Sequence, residues 1–267
     1  MSKEPASLIT SNRNEFVSYY SEQSISAEAV ERACRVRDLI LKVWSAKLDS
    51  VNPDVLDVGC NAGTYSFAWV DRAKSVVGVD ISADLIEVAK QRASDRGARV
   101  DFRVGSATNL PVDDAVVDIC ISPELLEHVS DWEECLDEYR RVLRLGGILY
   151  LTTTNKLCPK QQEFNLWFYS WYPRRIKHWV EKLAVTSKPD LANYATYPAV
   201  NWFSYYGLKR ELNERGFDTL DRFDLIAISD SSLMKKYVVK FIRSNAVIRW
   251  FAHVCTPSSI VVAERVR

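Results

Sequence analysis

Val55-Leu56-Asp57-Val58-Gly59-Cys60-Asn61-Ala62-Gly63 is the stretch that decides the fold of this chain. An apolar β-run ends in an acid, turns through Gly-x-x-x-Gly, and opens a helical pattern. The two glycines let the backbone turn tightly and place no Cβ in the way of a ligand. Amides at the start of the following helix point outward, so a carboxylate or phosphate can sit there. A second acid, Asp80, closes the next β-run, Ser75-Val76-Val77-Gly78-Val79. There an open α/β sheet offers a carboxylate to ribose hydroxyls. The two acids together indicate a nucleoside-containing ligand. The dinucleotide fingerprint G-x-G-x-x-G is excluded, because its middle glycine position holds Asn61 and pyrophosphate needs close backbone approach at that point. No Gly-Lys-Ser/Thr follows, so the turn is not a P-loop either.

Working outward, Gly105-Ser106-Ala107-Thr108-Asn109-Leu110-Pro111 follows a third β-run over 100–104. Residues 113–121 read as a fourth strand with its entry turn. Residues 143–151 read as a helix end, a turn and a fifth strand, and 217–227 and 259–264 as the last two strands. A helix is predicted over 27–48, with Val30, Ala33, Val36, Ile40 and Val43 on one face. Another begins at Ser82 or Ala83, and Ser130-Asp131-Trp132-Glu133 caps a third that runs to about Leu143. Strands and helices alternate from 54 to 154, which implies a parallel sheet covered on both faces.

The D-x-G-x-x-x-G run, followed by V-G-V-D at the end of the second strand, resembles motifs I and II of class I S-adenosylmethionine-dependent methyltransferases. The likeness is greatest to the small-molecule and ubiquinone-biosynthesis (methyltransferase type 11) group. It implies an α/β fold: a doubly wound, mainly parallel seven-stranded, Rossmann-like sheet with a helical cap insertion. The cofactor would be S-adenosyl-L-methionine, its methionine end wrapped by Gly59, Cys60, Asn61 and Gly63. Asp57 would meet the amino group, directly or through water. Asp80 would accept from both ribose hydroxyls, a bidentate contact that suits a carboxylate, and Ile81 would pack on the adenine. Many relatives place an Asp where this chain has Ser106. Ser106, Ala107 and, at the end of strand four, Ser122 complete the expected cofactor contacts.

Ser122-Pro123-Glu124-Leu125-Leu126-Glu127-His128 leaves strand four at the catalytic edge. Of the three histidines, His128 is the candidate general base, its pKa range being suited to proton removal near neutrality. A role in ordering the loop or touching the cofactor stands beside that reading. Glu124-x-x-Glu127-His128 also resembles the E-x-x-E-H arrangement of ubiquinone-pathway O-methyltransferases and small-RNA 2′-O-methyltransferases. That likeness implies a possible Mg²⁺ site of Glu124, Glu127 and His128 on one face of a helical turn. Those families supply a further His downstream, where this chain has Asn201-Trp202-Phe203.

Lys+Arg and Asp+Glu balance at 35 each, so charge does not point to a nucleic-acid partner. Six cysteines without a C-x-x-C pair read as reduced core thiols of a cytoplasmic protein. The N-terminus has no signal h-region, and no run approaches the roughly 20 apolar residues of a membrane span. The expected organisation is a helical lead-in over the cofactor site (1–50) and the cofactor-binding core (51–155). An aromatic-rich helical cap (156–206) and a C-terminal completion of the sheet with an amphipathic basic helix (207–267) follow.

In the cap, Phe164, Trp167, Phe168 and Trp171 at i, i+3, i+4, i+7 predict an amphipathic helix ended by Pro173. Ile176, Trp179, Val180 and Leu183 predict a second, with Arg174, Arg175, Lys177, His178 and Lys182 alongside. Such a cap suits a hydrophobic or aromatic acceptor. The basic cluster reads either as a solvated surface or as a site for an acidic group on the substrate. Leu233, Tyr237, Phe241, Ile248 and Phe251 predict a further amphipathic helix flanked by lysine and arginine, which packs on the domain or on a second subunit, or touches anionic lipid. The expected function is methyl transfer to a hydroxyl of a hydrophobic small molecule. N- or C-methylation, RNA 2′-O-methylation, and a non-catalytic cofactor-binding protein are the alternatives.

Overall fold

The computed structural model describes residues 26–45, 52–160, 164–192, 199–228 and 232–267. The polar lead-in with Phe16, Tyr19 and Tyr20, and the last residues of the helix expected to reach 48, lie outside them. Helix α1 spans Ala27–Ser45. It is followed by β1 (Asp54–Val58), α2 (Thr64–Trp69), β2 (Ser75–Asp80), α3 (Ala83–Arg96) and β3 (Asp101–Val104). Then come β4 (Val117–Pro123), α4 (Trp132–Val142), β5 (Leu143–Thr154) and α5 (Arg174–Thr186). The chain continues through α6 (Tyr205–Glu214), β6 (Phe217–Asp221), α7 (Arg222–Ile228), α8 (Leu233–Ser244), α9 (Ala246–Val254) and β7 (Ser258–Arg265).

The seven strands lie in the order β3-β2-β1-β4-β5-β7-β6. Six run in one direction, and β7 alone runs antiparallel, between β5 and β6. Strand order reverses at β1, where chain connections leave in opposite directions and open a crevice at the strands' carboxyl ends. Side chains alternate across each strand, so the sheet has two cores. Leu56, Cys120, Leu149 and Leu151 pack with Leu136 and Tyr139 of α4 and Leu208 and Leu212 of α6. On the other face Val55, Ile119, Ile121 and Tyr150 pack with Ile40, Val43 and Trp44 of α1, Trp69 of α2 and Leu225 of α7. Each of these fully buried side chains contributes roughly 1.5–3 kcal/mol against exposure.

Local chemistry fixes the helix ends that matter. Ser82 caps α3 by accepting from the Leu85 amide, and Gly97 closes that helix in the left-handed region. Gly63, at φ +89°, opens α2, but its missing Cβ makes room for protein rather than ligand. A Cβ there would stand 2.8 Å from Phe102 Cζ and 2.9 Å from Phe67 Cε2. Gly63→Ala therefore combines left-handed strain of about 1–2 kcal/mol with overpacking of about 1–3 kcal/mol. Gly146→Ala, at φ +80° with nothing within 4 Å, carries only the strain. Denaturant melts are expected to show the Gly63 variant clearly less stable than the Gly146 variant; equal midpoints would refute the packing account.

Three sequence expectations are corrected. The Phe164–Trp171 periodicity is not a helix. Residues 164 and 167 form isolated bridges to Ala192 and Lys160, and a short 3₁₀ turn covers Tyr169–Trp171. Phe168 sits at φ +59° and donates its amide to the Pro159 carbonyl. Aromatics are weak helix formers, so these tertiary contacts win. The stretch 217–227 is a strand only as far as Asp221. There the Asp221 carboxylate accepts from the Phe223 and Asp224 amides and starts α7. The pattern over 233–254 is two helices, because Asn245 leaves helical geometry and caps α9 through the Val247 and Ile248 amides. The expected helix Ile176–Leu183 is present within α5.

Candidate functional site

β1 lies between β2 and β4, so the turns that leave these strands meet at the crevice. The turn after β1 is tied back to β2: the Gly59 and Cys60 amides both donate to the Val79 carbonyl, at 2.8 and 3.1 Å. Asn61, at φ +48°, adopts the left-handed conformation its side-chain type tolerates. Its amide donates to Asp80 Oδ2 at 2.9 Å, and Ser82 N donates to Asp80 Oδ1 at the same distance. Gly105 N, after β3, donates to the Asp80 carbonyl at 2.9 Å. Three turns thus converge on one residue. Burial holds the Asp80 carboxyl above its ordinary value, while the Ser82, Asn61 and Ile81 amides pull the other way. Each oxygen keeps a lone pair for a further donor. The neighbouring Ile81 is 76% exposed, an apolar shelf beside that carboxylate.

Asp57, next to last in β1, is completely buried. Ser66 Oγ, on α2, donates to its Oδ2 at 2.6 Å, and Oδ1 has no partner. Burial pushes its carboxyl up to about 7; the Ser66 contacts oppose the rise and the charge of Asp80 adds to it. An unpartnered buried carboxylate oxygen beside the glycine turn fits a cationic amino group. Together with the Asp80 carboxylate and the Ile81 shelf, it matches the amino-acid and nucleoside ends of S-adenosylmethionine. Ser66 was not singled out in the sequence; its only signal was a hydroxyl on the buried side of the helix opened by Gly63.

The other expected contacts divide. Cys60 is buried, and burial with the Asp57 and Asp80 charges drives its thiol well above the ordinary range, so it offers backbone rather than sulfur chemistry. Ser106 Oγ is 2.8 Å from Thr108 Oγ1 and accepts from the Thr108 amide, which shapes the turn after β3. Ala107 packs on the core beside it. Ser122 is turned away: it is fully buried, with its hydroxyl 2.8 Å from Tyr139 OH. β4 points this side chain into the α4 core, so its hydroxyl is committed to Tyr139 and only its backbone remains for the expected cofactor contact.

The turn after β4 does not form the expected metal face. Glu124 stands at φ +53° outside any helix, and only Leu126–His128 make a 3₁₀ turn. Glu127 is buried whereas His128 and Glu124 are exposed, so the three diverge. Among the described residues no group of three His, Cys, Asp or Glu side chains is placed to hold a metal ion, and the residues do not fit the Mg²⁺ reading. Asn201 has its own task here. Its backbone amide donates to the Glu127 carbonyl, and its side chain donates to the Val129 and Leu126 carbonyls at 2.6 and 3.3 Å. It clamps the turn that presents His128. Beside the clamp lies an open cavity of about 810 Å³, whose lining includes Tyr172, Lys177, Ala199, Val200 and Trp202. Lys177 Nζ lies 4.8 Å from the Trp202 ring centroid.

His253 was passed over in the sequence. It is buried, 2.7 Å from Asp221 Oδ2, and stacked on Tyr205 at 4.7 Å. Arg249 also holds Asp221, at 2.6 Å, and burial of this carboxyl is outweighed by the His253 and Arg249 bonds, which keep it well below its usual range. The cluster is structural and binds α9 to the end of β6.

Residues 56–151 match the family model described as a methyltransferase domain. Over 207 residues the chain is 28% identical to a ubiquinone biosynthesis O-methyltransferase of Pelagibacter ubique (strain HTCC1062), covering 76% of this chain and 80% of that protein. It is 30% identical over 144 residues to a malonyl-acyl-carrier-protein O-methyltransferase of Serratia marcescens, 54% of each. Against several other curated relatives the chain spans about half of their length or less. The solved YcgJ protein of Bacillus subtilis superposes with a TM-score of 0.55 at 17% identity, covering 86% of this chain and 99% of that one, so the two share a fold.

Proposed function

We propose that this chain, which belongs to the S-adenosylmethionine-dependent methyltransferases, transfers a methyl group to a hydroxyl of a hydrophobic or aromatic small molecule. The observation that carries the reading is the convergence of three turns on Asp80 next to the unpartnered Asp57 Oδ1. A hydroxyl acceptor is supported by the two relatives named above, both O-methyltransferases by name. S-adenosylmethionine supplies a methyl already activated on a sulfonium, so the protein's work is to align and to move one proton. Asp80 holds the ribose, Asp57 the amino group, and Ile81 the adenine face.

His128 is exposed at the tip of its turn, steadied by its amide to the Leu125 carbonyl and by the Asn201 clamp. There its imidazole accepts the hydroxyl proton as the carbon–oxygen bond forms. The cap over 156–206, with Tyr172 and Trp202 in its cavity wall, receives the apolar body of the acceptor. The described part of the lead-in, α1, packs on β1 and α2 of the 51–155 core, and 207–267 completes the sheet. Six unpaired cysteines suit a reducing, cytoplasmic compartment.

The test is a screen of hydroxylated aromatics and lipids with labelled cofactor. With an accepted substrate, His128→Ala is expected to lower kcat by about 10²–10⁴-fold and to leave S-adenosylhomocysteine affinity unchanged. Full activity in that variant would place the base elsewhere. Binding of the cofactor without transfer to any class of acceptor would favour a non-catalytic role.

A further inference from the structure

Helices α8 and α9 are amphipathic in the wrong direction for a protein surrounded only by water. An apolar stripe normally faces the core. On α8 the outward stripe is Met234, Tyr237, Val238 and Phe241, at i, i+3, i+4 and i+7, and Tyr237 and Phe241 are 72% and 62% exposed. On α9 the outward residues are Val247, Trp250 and Phe251, the last 58% exposed. The inward side of α9 is polar. His253 and Arg249 point to Asp221, Arg249 also reaches Asp224, and the α9 carboxyl end is held by Asn155, whose side chain donates to the His253 and Thr256 carbonyls. Arg243 adds a contact from α8 to Asp224 at 3.0 Å. The contacts of His253 and Arg249 with Asp221 fix the rotation of α9, so its apolar face cannot turn inward without breaking them.

The charge beside this face is one-sided. Residues 231–254 contain no Asp or Glu. Arg243 and Arg249 are spent on Asp221 and Asp224, whereas Lys235, Lys236 and Lys240 are exposed and form no ion pair among the described residues. Such a local cationic excess on a chain with no net charge calls for an anionic counterpart. Trp, Tyr and Phe bodies flanked by lysine are the composition of a helix lying in the headgroup boundary of a bilayer. No described helix is long and apolar enough to cross a membrane.

We infer that α8 and α9 form a docking face for an anionic lipid bilayer, Tyr237, Phe241, Trp250 and Phe251 entering the interface and Lys235, Lys236 and Lys240 meeting acidic headgroups. This binding needs no turnover, and it stands or falls separately from the acceptor assignment. Asn155, which follows β5 at the carboxyl edge of the parallel strands, holds the carboxyl end of α9, so a bilayer-dissolved molecule would be presented at that edge of the sheet.

The experiment is co-sedimentation of the full chain with phosphatidylcholine vesicles, with and without phosphatidylglycerol, at low and high salt. Binding is expected to the anionic vesicles and to weaken with salt. Lys235→Ala/Lys236→Ala/Lys240→Ala should lower the affinity by about a hundredfold, at roughly fivefold for each lysine near the surface. Tyr237→Glu/Phe241→Glu should abolish binding, with the thermal transition and S-adenosylhomocysteine affinity unchanged because both side chains are exposed. Light scattering is run in parallel on the same samples. Failure of the wild type to bind anionic vesicles, or binding indifferent to both variants, overturns the inference. A dimer that Tyr237→Glu/Phe241→Glu splits assigns the face to a second copy of the chain and overturns it equally.

Discussion

Asp80→Ala is expected to weaken S-adenosylhomocysteine binding by at least two orders of magnitude, with little change in the cooperativity of thermal unfolding. The carboxylate has two tasks. It holds the Asn61 and Ser82 amides, which set the turns on either side of the ligand. In the proposed bound state it would also accept from two ribose hydroxyls. A hydrogen bond to a charged group contributes about 1.5–3 kcal/mol, so losing the hydroxyl pair alone approaches a hundredfold or more. Calorimetric titration reads the effect directly, with NADH as the ligand that should not bind. Near-native affinity in Asp80→Ala would sink the ribose assignment. No binding by the wild type would sink the site itself.

Asp57→Asn should reveal itself by two effects of opposite sign. Burial raises the Asp57 carboxyl to about 7 in the folded chain, against 3.8 for the ordinary group. A group whose folded pKa is raised favours the folded state most below its unfolded pKa. That contribution is lost as pH rises from about 4 to about 7, after which it is flat. At about 1.36 kcal/mol per unit, the ligand-free protein gives up on the order of 4 kcal/mol across the window. Asp57→Asn removes the charge. The free variant should be more stable than the wild type at pH 8 and should lack this pH dependence. Ligand binding should respond the other way. An amino cation at Oδ1 favours the ionised carboxylate, so wild-type affinity for S-adenosylhomocysteine should fall as pH drops through about 7. In Asp57→Asn it should be weaker and flat over the same range. Denaturant melts and calorimetry at pH 5, 6, 7 and 8 separate the two. A pH-independent wild-type affinity would move the amino group away from Asp57.

The legible part of the site is the part built by local chemistry. Asp57, Gly59, Gly63 and Asp80 could be placed because strand alternation, a tight turn and a strand-ending acid all act within a few residues. The cap shows the limit. Phe164, Trp167, Phe168 and Trp171 have helical spacing, yet spacing specifies only what a helix would bury if one formed. The bridges to Lys160 and Ala192 and the Phe168–Pro159 hydrogen bond decide otherwise. Asn201 looked like the loss of a histidine; folded, its side chain secures the 126–129 turn from more than seventy residues away. Glu124, Glu127 and His128 matched a helical face in spacing, but a left-handed residue at 124 sends their side chains apart.

By itself the sequence determined the alternating strands, the turn at the end of β1, and the two carboxylates, Asp57 and Asp80, that stand beside it. These follow from backbone geometry and two-residue periodicity, which are short-range. Only the tertiary structure decided which side of each amphipathic segment meets the core. For α9 that choice goes with Asp221, thirty-two positions from His253, through its contacts with His253 and Arg249 on the inward side of the helix. It also decided that Ser66 completes Asp57 and that Ser122 belongs to the interior. The physical reason is the same throughout. Periodicity tells a helix that it has two faces, and which one is buried is settled by partners that the chain brings together only on folding.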